Sequence, residues 1–408
     1  MRKLRITKMQ SILIIFGLAV CIIGMDSYLK CSKSKYLLDY DYFTKTIQEN
    51  YPFLFQMEDW DHLVQKNREV IRTVKEDSYF ITIVEGMIRK LENGHVSVIA
   101  KEELRILYGN YCGYLKMHPN SWVRTQVKHI EMKKVLQRYQ QDKLNIEECN
   151  LKDNITQYQS DNAMQLDTSN DHSIGYLQLT NMNDGIMTEK AQSHLASFLM
   201  QSPIKTLLID IRGNPGGKNY VWEEGIVPYL IQEPKIYQSY FLMRKTELTK
   251  HILAADFFHF KPLSEYEVAL EIVSKYPIYD YIWERKLQIA PNRKAQNSIE
   301  KIYLLVDHIN FSASESFANF MKYTNSATLV GERTGGDGIG IESLLFHLPN
   351  TGFVIKTPFV LGLDPMGQIN HVVKTQPDIV VDMHALNQLV LQKDYQGILD
   401  MIEQTAID

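Results

Sequence analysis

The run Lys301-Ile302-Tyr303-Leu304-Leu305-Val306-Asp307-His308-Ile309-Asn310-Phe311-Ser312-Ala313-Ser314-Glu315 joins an apolar stretch, Lys301 to Val306, to a helix-like stretch, Ala313 to Tyr323. A short apolar run bounded by turn residues reads as a buried strand. A strand that turns sharply into a helix exposes its turn residue at the carboxyl edge of the sheet, and leaves the next backbone N–H groups available to an oxyanion. Ser312 at this turn is therefore a candidate nucleophile. The same residues also spell a capping box, Ser312 with Glu315 three positions on, which satisfies donors at a helix start. This stretch alone leaves both readings open.

Two further stretches bear on the choice. Thr206-Leu207-Leu208-Ile209-Asp210-Ile211-Arg212-Gly213-Asn214-Pro215-Gly216-Gly217 is a buried-strand pattern running into a glycine turn, and such glycines free backbone N–H groups. In Leu91-Glu92-Asn93-Gly94-His95-Val96-Ser97-Val98 a histidine follows glycine at the end of a helical stretch and starts an alternating strand. A histidine so placed is suited to act as a base. A lone histidine or a Gly-Gly turn is ordinarily structural, but with Ser312 they make up the parts needed for acyl transfer.

These elements, with Val330-Gly331-Glu332-Arg333-Thr334-Gly335-Gly336 and Thr375-Gln376-Pro377-Asp378-Ile379 after them, resemble in order and spacing the serine peptidase family of C-terminal processing (tail-specific) proteases and tricorn core proteases. The resemblance covers roughly Leu37 to Asp382. It implies Ser312 as nucleophile, with Ser314 a helix residue. It also implies the backbone N–H groups of Ala313 and of Gly216 or Gly217 as oxyanion donors, and His95 as the base that takes the Ser312 proton and later gives it to the leaving amine. No cofactor is implied, and the partner is a peptide or protein substrate.

The chain departs from the family pattern at two places. The tail-specific branch carries a lysine in the glycine-rich element after the nucleophile, where this chain has Asp337 in Gly335-Gly336-Asp337-Gly338, so a Ser-Lys dyad is not expected. The tricorn-like branch carries a glutamate six residues before the Pro-Asp pair, and that position is His371. Either Asp337 supplies the orienting carboxylate or the enzyme is weak. Asp337 is equally ordinary turn chemistry, and His371 is equally a surface residue. The same glycine element is no phosphate loop, because no Lys-Ser/Thr follows it and Leu344-Leu345-Phe346 leads to a strand.

Arg2, Lys3, Arg5 and Lys8 precede an uncharged apolar stretch from Ser11 to Met25. This reads as an export signal, best taken as an uncleaved anchor since no Ala-x-Ala site follows, with the rest of the chain outside the cytoplasmic membrane. Four cysteines, at 21, 31, 112 and 149, show no Cys-x-x-Cys spacing, and pairing of Cys112 with Cys149 stays open. The twelve histidines form no His-Glu-x-x-His, which argues against a metal site, and a net charge of −4 gives no footprint for nucleic acid.

The resulting expectation is a mixed α/β fold, with a Clp-protease/crotonase-like core implied by the resemblance, an N-terminal helical domain and no clear PDZ module. The organisation reads as anchor 1–33, helical domain 34–100, connecting segment 101–171, catalytic core 172–385 with an insertion at 243–297, and C-terminal helix 386–408. Core strands are expected at Ile174 to Leu179, Thr206 to Ile211, Lys301 to Val306, Thr328 to Val330 and Val354 to Pro358, and a solvated connection over Gln157 to Asn170. The expected function is an extracytoplasmic serine peptidase. The alternative is an inactive relative that binds peptides or hydrophobic ligands in the same cleft, and a crotonase-like thioester enzyme ranks last because its substrates are cytoplasmic. Oligomeric state is not legible.

Overall fold

A computed structural model describes residues 34–119, 121–140, 163–200, 203–254, 258–266, 275–276, 278–292 and 297–407. The expected anchor and Cys149 lie outside these residues. The chain forms two compact units. One holds the described residues up to Arg105, those from Thr125 to 140, and Leu344–Thr357; the other holds Ile106–Arg124, the described residues from 163 to Ser343, and Pro358 onward. The fold is mixed α/β, as expected.

The larger unit is built on a six-stranded sheet in the order Ile379–Val380, Thr328–Gly331, Lys301–Val306, Thr206–Asp210, Ile174–Leu179, Met164–Thr168. All neighbours are parallel except the last pair, which is antiparallel. The central strands Thr206–Asp210 and Lys301–Val306 are almost wholly apolar because both faces of a parallel sheet are covered. Leu207, Ile209, Leu304, Val306 and Leu329 face a core with Trp222, Phe317 and Phe320. The alternate residues Leu208, Tyr303, Leu305 and Val330 face a second core with Leu386, Ile398 and Ile402 from the C-terminal helices Met383–Leu391 and Tyr395–Ile407.

Two expectations need correction. The segment expected as a solvated connection contains the edge strand Met164–Thr168, held because Met164 and Leu166 pack against the first core cluster. Val354–Thr357 is a strand, but not of the large sheet: it pairs antiparallel with Leu344–His347 and with Ser97–Val98 in the smaller unit. Within 243–297 the strand Tyr281–Ile289 pairs along its whole length with Lys235–Met243, in a separate four-stranded antiparallel sheet completed by Val360–Leu363 and Lys261–Pro262.

The smaller unit packs the helices Lys35–Asn50, Trp60–Ile71 and Asp77–Lys90, and the periodic apolar residues Ile71, Phe80 and Met87 on them, with Val74 and Leu91 just past their ends, are buried. Asp39, fully buried on the first helix, accepts hydrogen bonds from Asn350 N at 3.0 Å, Asn350 Nδ2 at 2.8 Å and Thr351 N at 2.7 Å. The carboxylate thereby serves the turn of the Leu344–Thr357 hairpin, whose donors have no strand partner at the bend. No helix among the described residues is long and apolar enough to cross a membrane.

Removing the Asp39 carboxylate strands three donors next to the helical layer. Asp39→Ala is expected to lower unfolding stability by about 3 kcal/mol, because buried donors left without acceptors lose water and gain nothing. Urea unfolding of the variant against wild type measures this, and a difference under about 0.5 kcal/mol would show the carboxylate to be dispensable.

Candidate active site

After the strand Lys301–Val306 the chain makes a turn locked by its own side chains. Asp307 N donates to Asn310 Oδ1 at 2.8 Å, Ile309 N donates to Asp307 Oδ1 at 3.0 Å, and Asn310 N donates to Asp307 O at 3.1 Å. Asn310 is fully buried, and its amide Nδ2 donates to Ile211 O and, at 3.4 Å, to Asn214 O in the glycine turn. From this base the backbone enters Ser312 with φ 57° and ψ −122°. Such a conformation is costly for a residue with a Cβ and persists only where surrounding contacts hold it.

Ser312 precedes the helix Ala313–Tyr323 but its side chain makes no capping bond. Ser314, inside the helix, reaches back instead: its Oγ accepts from Phe311 N at 3.0 Å and donates to Asn214 O at 2.7 Å. Glu315 does not reach back to Ser312. It is fully buried, and its Oε1 accepts from Asn370 Nδ2 and Thr375 Oγ1, each at 2.7 Å. The capping-box reading of Ser312 and Glu315 is therefore wrong: neither side chain makes the bond that this motif requires.

The glycine turn approaches Ser312 so closely that only glycine fits. A Cβ on Gly216, whose φ is +105°, would lie 2.5 Å from Phe311 O, 2.9 Å from Ala313 N and 2.9 Å from Ser312 Cβ. Gly217, at φ +142°, would place a Cβ 2.1 Å from Met182 O. Gly216 N donates to Asn214 Oδ1 at 2.9 Å, so of the two glycines it is Gly217 whose N–H makes no hydrogen bond to the protein among the described residues. The same holds for Ala313 N–H. The turn thus brings Gly216, Gly217, Ser312 and Ala313 together.

Asp337 and His371 join this neighbourhood from the glycine-rich loop and the short helix Asn370–Val373. Gly336 O accepts from Ser312 N at 3.3 Å, and Asp337 follows it, buried, with φ 57°. Gly338 N donates to Asn370 Oδ1 at 2.8 Å. His371 Nδ1 lies 3.9 Å from Asp337 Oδ2, and the His371 side chain is only 12% exposed, so it is not the surface residue that its setting allowed.

His95 belongs to the smaller unit. The helix Asp77–Lys90 ends through Glu92 in the left-handed conformation at φ 51°, not through Gly94 as the sequence suggested. Asn93 then accepts from His95 N at 2.8 Å through its side chain and from Val96 N at 3.1 Å through its carbonyl, and Ser97–Val98 pairs with Ile355 and Lys356. The half-buried His95 is thereby fixed between a helix end and a strand.

A buried polar network beneath the serine turn escaped the sequence reading. Thr375 N donates to Thr334 Oγ1 at 2.9 Å, Asn319 Nδ2 donates to Thr375 Oγ1 at 2.9 Å, and Tyr237 OH donates to Asn319 Oδ1 at 2.5 Å. With Glu315 and Asn370 these groups tie the helix, the glycine-rich loop and Thr375 together. Burial pushes the Glu315 carboxyl up, while hydrogen bonds from Thr334, Thr375 and Asn370 pull it the other way. The one available signal was a polar pattern, Ser314, Glu315, Ser316 and Asn319, on a helix otherwise apolar enough for a core.

Comparison with known proteins now decides the family. Residues 173–381 match the family model described as peptidase family S41, which is half of the chain. The chain belongs to peptidase family S41. It is thus of a serine-type peptidase family. A crystal structure of a candidate peptidase from Parabacteroides merdae is similar in fold, with 16% identity, TM-score 0.54, and coverage of 87% of this chain and 93% of that one. A lipoprotein from Streptococcus agalactiae matches at 13% identity and TM-score 0.47 over 88% of this chain and 96% of its own. The photosystem II D1 C-terminal processing protease matches at 16% identity and TM-score 0.36 over 55% of this chain and 49% of its own.

Gly216→Ala is expected to cut reactivity of Ser312 toward a serine-directed probe by about 100-fold or more, since its Cβ displaces the Ala313 N–H and the Ser312 side chain. Gly213→Ala, in the same turn at φ +74° but with nothing within 4 Å of its Cβ, should cost about 1 kcal/mol of stability and leave the probe reaction in place. Equal labelling of the two variants would deny Gly216 its role. Glu315 yields a pH prediction. A carboxyl whose folded pKa is raised stabilises the fold fully below the ordinary value of 4.5, and this contribution is lost as pH climbs through the raised value. Glu315→Gln is uncharged throughout, so its melting temperature should gain on that of wild type between about pH 4 and pH 8. A constant difference across that range would mean that Glu315 titrates normally.

Proposed function

We propose that this chain hydrolyses peptide bonds as a serine endopeptidase of the tail-specific and tricorn-like kind, through an acyl-enzyme on Ser312. The observation that carries the reading is the strained Ser312 turn packed against Gly216, with a hydroxyl that makes no capping bond and with the Ala313 and Gly217 N–H groups making no hydrogen bond to the protein among the described residues. Ser312 Oγ attacks the scissile carbonyl carbon as its proton passes to His95. The two N–H groups hold the oxyanion, and the amine leaves with the proton from His95. Water, deprotonated by His95, then attacks the acyl carbon and Ser312 leaves as the free hydroxyl. Asp337 is the proposed orienting carboxylate, and His371, 3.9 Å from it, steadies that carboxylate without touching substrate. The basic and apolar residues up to Met25 support an uncleaved anchor and a catalytic part outside the cytoplasmic membrane.

The test is a fluorophosphonate probe on the fragment from Lys33 onward. Wild type should label, with Ser312→Ala abolishing the reaction and His95→Ala slowing it by about 10³-fold or more. Asp337→Asn should slow labelling by about tenfold or more, because an imidazole without its orienting carboxylate is no longer held in the productive tautomer. His371→Ala should have the smaller effect. A folded wild type that does not label would instead support a binding protein that uses the same cleft, and an unchanged labelling rate in Asp337→Asn would remove Asp337 from the mechanism.

A further inference from the structure

The larger unit contains a cavity of about 600 Å³ that none of the catalytic steps uses. Its wall includes Tyr114, Trp122, Phe241, Phe258 and Trp283. Four of these rings form a continuous surface: Trp122 to Phe258 is 5.9 Å between centroids, Phe258 to Trp283 is 5.6 Å, and Trp283 stacks on Phe241 at 5.0 Å. The wall joins residues from four regions of the chain, 110–123, Asn219, 241–285 and 340–342, and Tyr114 and Trp122 precede the stretch 173–381 that matches the family model.

Covalent geometry places this cavity beside the candidate site. Asn219 lines it and is two residues from Gly217; Gly340 lines it and is three residues from Asp337. Since each residue spans at most about 3.8 Å, these parts of the wall start within roughly 8 and 11 Å of the two catalytic loops. A peptide of two to four extended residues bridges such distances. The charge in the wall selects among occupants. Arg285 lines the cavity but donates to Glu223 at 2.8 Å, so its cation is already matched by a carboxylate and offers no dedicated seat for a peptide's terminal carboxylate. Glu342, also in the wall, disfavours an acidic side chain.

Resting on the peptidase reading above, we infer that this cavity is the specificity subsite for a large apolar or aromatic side chain of the substrate, within four residues of the scissile bond. Burying such a side chain against aromatic rings is worth enough for about ten- to a hundred-fold selection over alanine. The experiment is mass-spectrometric mapping of cut sites in a synthetic peptide mixture of even composition, with Ser312→Ala as background and fluorophosphonate labelling run in parallel. Wild type should show Phe, Tyr, Trp or Leu enriched about tenfold or more over Ala at one position within four residues of the cut, with Asp depleted there. Two variants alter the wall. Gly340→Leu adds bulk where a Cβ meets nothing within 4 Å, and Trp283→Ala removes a ring. Either should flatten the preference at that position relative to the others, a ratio taken within one protein and so independent of its overall rate. Cuts without apolar enrichment, an unchanged preference in both variants, or probe labelling without any cut would each overturn the subsite while the acyl-enzyme reading stands. A wild type that neither labels nor cuts overturns both.

Discussion

The larger unit is organised around one close approach. The backbone of Gly216 comes so near to the Ser312 turn that a single added carbon would collide with Phe311 O, Ala313 N and Ser312 Cβ together. Two adjacent parallel strands make it possible, because Thr206–Asp210 and Lys301–Val306 end at the same edge with Asp210 opposite Leu305. Both turns leave that edge side by side. Asn310 and Ser314, from one turn, donate to the Asn214 carbonyl of the other, so the two loops share acceptors that either alone would have to expose to water. These bonds counter the cost of holding Ser312 at positive φ.

Rigidity beneath the site comes from polar groups where an apolar core would be cheaper. A fully buried carboxyl such as Glu315 is expensive unless its oxygens are met by donors, and Asn370 and Thr375 meet one of them. What the arrangement gains is geometry. The same Asn370 that donates to Glu315 accepts from Gly338 N, one residue beyond Asp337. The position of Asp337 is therefore set by the helix that begins at Ser312, through two hydrogen bonds with directional preference that apolar packing lacks.

What the sequence disclosed and withheld follows from the range of the interactions. The strands Ile174–Leu179 and Lys301–Val306 were legible to the residue because a strand covered on both faces must be apolar throughout. The strand Met164–Thr168 was hidden, since an edge strand is apolar on one face only and Gln165 and Asp167 made the segment look solvated. Val354–Thr357 was legible as a strand but its sheet was not, for nothing local states that its partners are Ser97–Val98 and Leu344–His347. At the site, Gly216 and Gly217 announced a special backbone, but which N–H remained uncommitted depended on Asn214. The capping-box pattern misled because Glu315 finds its partners 55 and 60 residues away, at Asn370 and Thr375, instead of at the helix start.

Asp337 stands where the resemblance to tail-specific proteases calls for lysine, and the backbone helps to explain why the change is tolerable. At φ 57° the residue is in the left-handed region, which aspartate accepts more readily than most side chains. A lysine there could serve as a base for the serine by itself. An aspartate of ordinary acidity cannot deprotonate a hydroxyl, but it can hold and favour a protonated imidazole. Under the mechanism proposed above, the loop that could have carried the base then relies on a histidine from elsewhere. A chain that keeps the glycine turn, the strained serine and a histidine pinned by Asn93, while giving up the lysine, is consistent with an acyl-transfer site whose base and orienting acid are separate residues.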